Sequence, residues 1–154
     1  MNLKPGDKAP AFSAPDQNGN TLNLKDFAGK KLVLYFYPKD DTPGCTAEAC
    51  SLRDNYDALI KQGFAILGVS PDNEKKHQKF IAKYELPFSL LADTDNKVAT
   101  DYGVWVEKSM YGRKYMGVAR TTYLIGPDGK VVKRWDGVKV PGHAEEVLAA
   151  VQQI

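Results

Sequence analysis

At 154 residues, with 43% of them hydrophobic and 26% charged, the chain reads as one soluble globular domain, residues 1–154, that can bury a full core without disulfide staples. The net charge of +2 is small and the lysines are scattered, with no basic run beyond pairs such as Lys75-Lys76, so a nucleic-acid partner is not indicated. No apolar run approaches the roughly eighteen residues of a membrane span, and the opening stretch MNLKPGDKAPAFSAPDQNG has no apolar core of the signal-peptide kind, so a cytoplasmic protein is expected.

The first strong signal along the chain is LVLYFYP, 32–38, a continuous apolar run rich in strand formers and stopped by Pro38. A helix follows. Thr42 is a good N-cap and Pro43 suits the first helical position, where a missing N–H costs nothing. Cys45, Ala49, Leu52 and Tyr56 then share one helix face, and Leu59 and Ile60 continue the apolar pattern. FAILGVS, 64–70, reads as a second buried strand. In 73–84, His77, Phe80, Ile81 and Tyr84 form one helical face, with Asp72 or Asn73 as cap. FSLLAD, 88–93, is a third strand, and a short helix is expected over 96–102. The stretch 106–120 reads as an exposed loop or hairpin tip. TTYLIG, 121–126, is a strand that turns at Pro127-Asp128-Gly129 into KVVKRWD, 130–136. In the tail, 142–154, Ala144, Val147, Leu148 and Val151 form a helical stripe, with Glu145 and Glu146 near its favourable start. The order predicts an α/β fold in which a mixed sheet carries helices on both faces. A thioredoxin-like arrangement is one such fold, which periodicity alone does not select.

Both cysteines lie in one helical segment, five residues apart. Cys45 falls in the first turn and on the apolar face, so it is expected to point inward, beside unpaired N–H groups and the positive dipole end that favour a thiolate. Cys50 lies roughly 140° further round the helix. Residues i and i+5 of an intact helix have Cα atoms about 8.7 Å apart, whereas a disulfide needs less than about 7 Å. The two thiols therefore pair only if the helix unwinds, which a local opening allows. In a reducing compartment, neighbouring thiols point to transient redox chemistry or to a metal. A metal is not expected: two thiolates need two more ligands, and the only histidines are His77, read as a satisfied core residue, and His143, read as exposed.

The run Pro38-Lys39-Asp40-Asp41-Thr42-Pro43-Gly44-Cys45-Thr46 resembles the Pro-x3-Thr-x2-Cys active-site loop of the peroxiredoxins. The continuation CTAEAC resembles their bacterioferritin comigratory protein, or Q type, subgroup, and KPGDKAPAFSAPDQNG, GVSPD, HQKFIAKYELPFSLLAD and ARTTYLIGPDGKV extend the likeness over nearly the whole chain. The resemblance implies a thioredoxin-like fold with an N-terminal extension. It implies a peroxidase for hydrogen peroxide and organic hydroperoxides, with Cys45 as the peroxidatic cysteine and Cys50 as the resolving one. Thr42 would hold the peroxide, Arg120 would be the active-site arginine oriented by Glu48, and Pro38 would shield the thiolate. It further implies a Cys45–Cys50 disulfide recycled by thioredoxin or a similar dithiol, a monomer, and no metal or organic cofactor. Two other readings stand beside it: a thioredoxin-type disulfide reductase, and a non-catalytic thiol redox sensor.

Overall fold

The computed structural model describes residues 3–152. Its centre is a five-stranded mixed sheet of β3 (Lys31–Phe36), β4 (Phe64–Ser70), β5 (Ser89–Ala92), β8 (Thr121–Ile125) and β9 (Val131–Trp135), in the spatial order β5-β4-β3-β8-β9. β3, β4 and β5 run parallel, and β8 and β9 run antiparallel to their neighbours. The parallel strands are buried on both faces, as their unbroken apolar runs require. Alternate residues of β3 feed two cores: Leu32, Leu34 and Phe36 one, Val33 and Tyr35 the other. The first core is closed by the N-terminal segment and by α4 (Lys97–Asp101), the second by α1 (Pro43–Asp54), α2 (Tyr56–Lys61), α3 (Glu74–Tyr84) and α5 (His143–Val151). This is the expected thioredoxin-like layering.

The N-terminal extension forms a small antiparallel pair, β1 (Ser13–Pro15) with β2 (Thr21–Asn23), and a 3-10 turn over Leu24–Phe27. Three backbone bonds, Gly6 N–H to Val131 O, Val131 N–H to Asp7 O and Ala9 N–H to Gly129 O, tie it to the β9 edge. They occupy edge groups of the sheet that would otherwise face solvent unpaired.

The structure corrects several expectations. Of the two readings of 106–120, exposed loop or hairpin tip, the structure takes the second and extends it: β6 (Trp105–Met110) and β7 (Arg113–Val118) pair along their full length as a hairpin in a separate two-stranded sheet. The single helix expected through Ile60 is two. It breaks at Asn55, whose side-chain amide donates to Ser51 O while its own carbonyl accepts from Leu59 N–H. The break turns Ile60 outward, to 46% exposure. His143 is buried, because its ring lies between the Thr122 hydroxyl and the Glu146 carboxylate and stacks edge-on against Trp135. The tail helix is described to Val151, and its last two expected residues lie outside the described residues. Asn73, not Asp72, caps α3, its side chain accepting from Lys76 N–H.

Topology gathers the chemistry at one edge of the sheet. The carboxyl ends of β3, β4 and β5 lie together, the place where ligands bind in open α/β sheets. β8 is antiparallel and in register with β3, Thr121 opposite Phe36, so Arg120 just before it arrives at the same edge.

Candidate active site

α1 starts where its caps dictate. Thr42 has extended dihedrals and Pro43 opens the helix. The first helical bond, 2.8 Å, runs from Thr46 N–H to Thr42 O, so the N–H groups of Gly44 and Cys45 precede it and have no acceptor within the helix. The Thr42 side chain does not cap. Its hydroxyl donates back to Lys39 O at 2.9 Å, which leaves the oxygen lone pairs able to accept a proton donor arriving from outside. Pro38, half-buried, links the end of β3 to this turn.

Cys45 is 1% exposed and belongs to the core under α1, as its place on the apolar face predicts. Arg120 Nη2 donates to Cys45 Sγ at 3.3 Å, and Arg120 Nη1 donates to Glu48 Oε1 at 2.7 Å. The planar fork of one guanidinium thus joins the thiol to a carboxylate one helical turn further on. Gly44 makes the approach possible: a Cβ there would stand 3.2 Å from Arg120 Nη2. Burial opposes the arginine's charge, but Glu48 and Cys45 together hold its pKa above the ordinary arginine value.

Glu48 is 2% exposed and its second oxygen, Oε2, has no hydrogen-bond partner among the described residues. Burial pushes its carboxyl up to about 7, against the pull of the Arg120 guanidinium. The folded protein therefore keeps the Glu48 proton at pH values where the unfolded chain has lost it. This contribution to stability is full below the ordinary carboxylate value, falls as pH rises, and levels off above about 7, a change on the order of 3 kcal/mol. Urea melts at pH 4.5 to 8 are expected to show this decline in wild type and its loss in Glu48→Gln; parallel pH profiles for the two proteins would refute it.

The site also holds residues that no linear pattern marked. Tyr35 lies across Gly68, where a Cβ would come within 2.9 Å of its hydroxyl, and that hydroxyl is buried without a partner among the described residues. Burial, then the charge of Glu48, raises its pKa well above the ordinary tyrosine value. Lys108 of β6 is half-buried, and burial followed by repulsion from Arg120 holds its ammonium below the ordinary lysine value, Cys45 acting the other way. No linear pattern marked Lys108, whose electrostatic link to Arg120 and Cys45 arises only in the folded chain. Cys50 stands on α1 away from this cluster, half-buried, and both cysteines are free thiols on an unbroken helix. The structure therefore brings Cys45, Glu48 and Arg120 into contact, sets Thr42 and Pro38 beside them along the chain, and leaves Cys50 outside.

The model of the AhpC/TSA family matches residues 5–134. The chain belongs to that family, the peroxiredoxins. Among curated relatives, the putative peroxiredoxin Bcp of Coxiella burnetii is 52% identical over 148 residues, 96% of this chain and 98% of its own. Among solved structures, the bacterioferritin comigratory protein of Xanthomonas campestris, described for its alkyl peroxide reduction activity, superposes with a TM-score of 0.88 at 42% identity, covering 92% of this chain and 90% of its own. The PrxQ of Xylella fastidiosa, solved as a cysteine-to-serine variant, reaches a TM-score of 0.94 at 36% identity, covering 99% and 98%. This peroxiredoxin is of the Bcp, or Q, type, and it is a thiol peroxidase. Its substrates are peroxides and its turnover draws on a thiol reductant. No helix among its described residues is long and apolar enough to cross a membrane.

Proposed function

We propose that Cys45 is the peroxidatic cysteine and Cys50 the resolving cysteine of a cycle recycled by thioredoxin or a similar dithiol. The observation that carries this reading is the contact of the Arg120 guanidinium with Cys45 Sγ at the open end of α1. The guanidinium and the free first-turn N–H groups favour negative charge on sulfur. The thiolate attacks one oxygen of the peroxide and the O–O bond breaks. Its electron pair goes to the other oxygen, which takes a proton and leaves as water or an alcohol. Arg120 is placed to stabilise the charge that develops on that oxygen, and the Thr42 hydroxyl to accept a hydrogen bond from the peroxide. Pro38 and the near-complete burial of Cys45 keep bulk water from the sulfur. Glu48 orients Arg120 through the 2.7 Å contact.

Cys45 is left as a sulfenic acid. Cys50 attacks that sulfur, an S–S bond forms, and the hydroxyl departs as water. The intact helix holds the two sulfurs apart, so the first turns of α1 unwind before this step. An external dithiol then returns two electrons and two protons by exchange. The alkyl peroxide activity of the Xanthomonas relative supports organic hydroperoxides as substrates beside hydrogen peroxide. No metal or organic cofactor enters the scheme. A pair of free thiols suits a reducing cytoplasm. Among the described residues, exposed large apolar side chains are confined to Ile60 and the β6–β7 hairpin, which supports a monomer, and both cores sharing one sheet supports a single domain.

Stopped-flow titration of the reduced protein with hydrogen peroxide and cumene hydroperoxide, read together with mass spectrometry, tests the cycle. One equivalent of peroxide is expected to remove two thiols and about 2 Da in wild type, the two hydrogens lost when a disulfide forms by this route. Cys50→Ser is expected to react with the first equivalent at a rate within about threefold of wild type, then to stall as a sulfenic acid and lose thioredoxin-driven turnover. Sustained turnover of Cys50→Ser by thioredoxin would refute the intramolecular disulfide. Insulin reduction faster than peroxide reduction would favour a disulfide reductase instead.

A further inference from the structure

The turn from Pro38 to Thr42, between β3 and α1, carries two adjacent aspartates, and both are held from outside the segment. Asp40 is 8% exposed. Its Oδ1 accepts from the Tyr37 hydroxyl at 2.6 Å and its backbone N–H donates to Asp72 Oδ2 at 2.7 Å. Its Oδ2 lies 2.6 Å from His77 Nδ1 on α3. His77 is 0% exposed, and its Nε2 lies 2.8 Å from Leu91 O on β5. A carbonyl only accepts, so Nε2 carries the hydrogen. Nδ1 and the Asp40 carboxyl then face each other across a shared proton. Asp41 has φ 56°, a left-handed conformation unfavourable for a residue with a Cβ, and its carboxylate is held by Lys83 Nζ and the Tyr84 hydroxyl, both at 2.8 Å. A strained turn is thus pinned to α3 at two consecutive residues.

The ligating atoms of Asp40, Asp72 and His77 lie within 4.8 Å of one another, the spacing of a metal site. Each of those residues already has protein hydrogen-bond partners at the facing atoms, Asp72 Oδ2 also taking the Ser70 hydroxyl at 2.7 Å. The cluster is complete as a hydrogen-bond network and has no need of an ion.

We propose that Asp40 and His77 are positioning residues of the peroxidase cycle: a buried latch that holds the Pro38–Thr42 segment on α3, keeps the first turn of α1 wound around Cys45, and must open before Cys50 can reach the oxidised sulfur. The latch then sets the choice between two fates of the sulfenic acid. With the latch closed, a second peroxide can oxidise Cys45 to the sulfinic acid, an alcohol or water leaving. With it open, Cys50 displaces the hydroxyl and the disulfide forms. The proposal rests on the assignment of Cys45 and Cys50 made above.

The test uses reduced full-length protein with Asp40→Ala, with His77→Phe, which keeps the ring and loses both nitrogen contacts, and with Asp40→Asn. Asparagine can still accept from Tyr37 and donate to His77 Nδ1, so it should rescue the latch. Quench-flow mass spectrometry after one equivalent of hydrogen peroxide reads disulfide formation, excess peroxide reads the sulfinic fraction, and hydrogen exchange without any peroxide reads the amides of Thr46, Ala47, Glu48 and Ala49, whose bonds close the first turn of α1. Asp40→Ala is expected to speed both disulfide formation and this exchange about five- to tenfold and to lower the sulfinic fraction, with Asp40→Asn within about twofold of wild type. Should Asp40→Ala not fold, His77→Phe carries the same expectation. Unchanged exchange and unchanged disulfide formation overturn the latch. Faster exchange with unchanged disulfide formation overturns its control of resolution and leaves the peroxidase standing; the assignment of Cys45 fails separately, if Cys45→Ser still turns over.

Discussion

Cys45→Ser is expected to abolish peroxide turnover, with a loss on the order of 10⁴-fold or more in the rate of peroxide consumption. The reason lies in the atom, not the shape. A serine oxygen fits the space of the sulfur and can still accept from Arg120, so the 3.3 Å contact and the core packing around it survive. What disappears is a polarizable sulfur nucleophile that can take an oxygen from the peroxide. The variant should unfold within a few degrees of wild type, which separates lost chemistry from lost structure. A direct peroxide assay in the presence of thioredoxin and its reductase makes the measurement. Full turnover by Cys45→Ser would remove this cysteine from the chemistry.

Arg120→Met is expected to lower the second-order rate with hydrogen peroxide by roughly 10²- to 10³-fold, the scale of removing one preorganised donor from a developing oxyanion. The guanidinium is the cation that touches both Cys45 and Glu48, with 18% of its side chain exposed. Its removal also strands the Glu48 carboxylate, buried and without a counter-charge, so the carboxyl should hold its proton to still higher pH. Arg120→Lys is expected to recover only part of the rate, because a single ammonium cannot reach the thiol and the carboxylate in one plane. Stopped-flow measurements on reduced protein decide the matter. A loss smaller than about threefold in Arg120→Met would make the arginine structural and transfer its part to the helix N–H groups, or to Lys108.

The cysteine helix shows what linear pattern can reach. The Thr42-Pro43 start and the inward face of Cys45 follow from capping preferences and a period of 3.6, and both describe the folded chain. The second strand, Phe64–Ser70, matches its expected limits at both ends because an unbroken apolar run has no competing conformation. Elsewhere short elements escaped. β1 and β2 have three residues each and hold together through the body they pack on rather than through their own sequence. β6 and β7 are mostly exposed, and apolar and polar residues do not alternate along them, so the usual strand signal is absent. His143 looked like a surface residue because its partners, Thr122 and Trp135, are brought to it by the hairpin of β8 and β9. The same limit applies in the site. Arg120 stands 75 residues from Cys45 and His77 stands 37 from Asp40, distances at which only the resemblance, or the folded chain, supplies the partner.

The interruption at Asn55 gives the proposed rearrangement of α1 a fixed end. A continuous helix of roughly eighteen residues would pass the torque of an unwinding first turn along its whole length, since each backbone bond shares residues with the next. Here Asn55 closes one helix and opens another, and α2 keeps Leu59 packed against the sheet by its own contacts. The two pieces are separate cooperative units, and the oxidised protein should lose hydrogen-exchange protection upstream of residue 55 while residues 56–61 keep theirs. A corner in the chain thus bounds how far the proposed unwinding can spread into the fold.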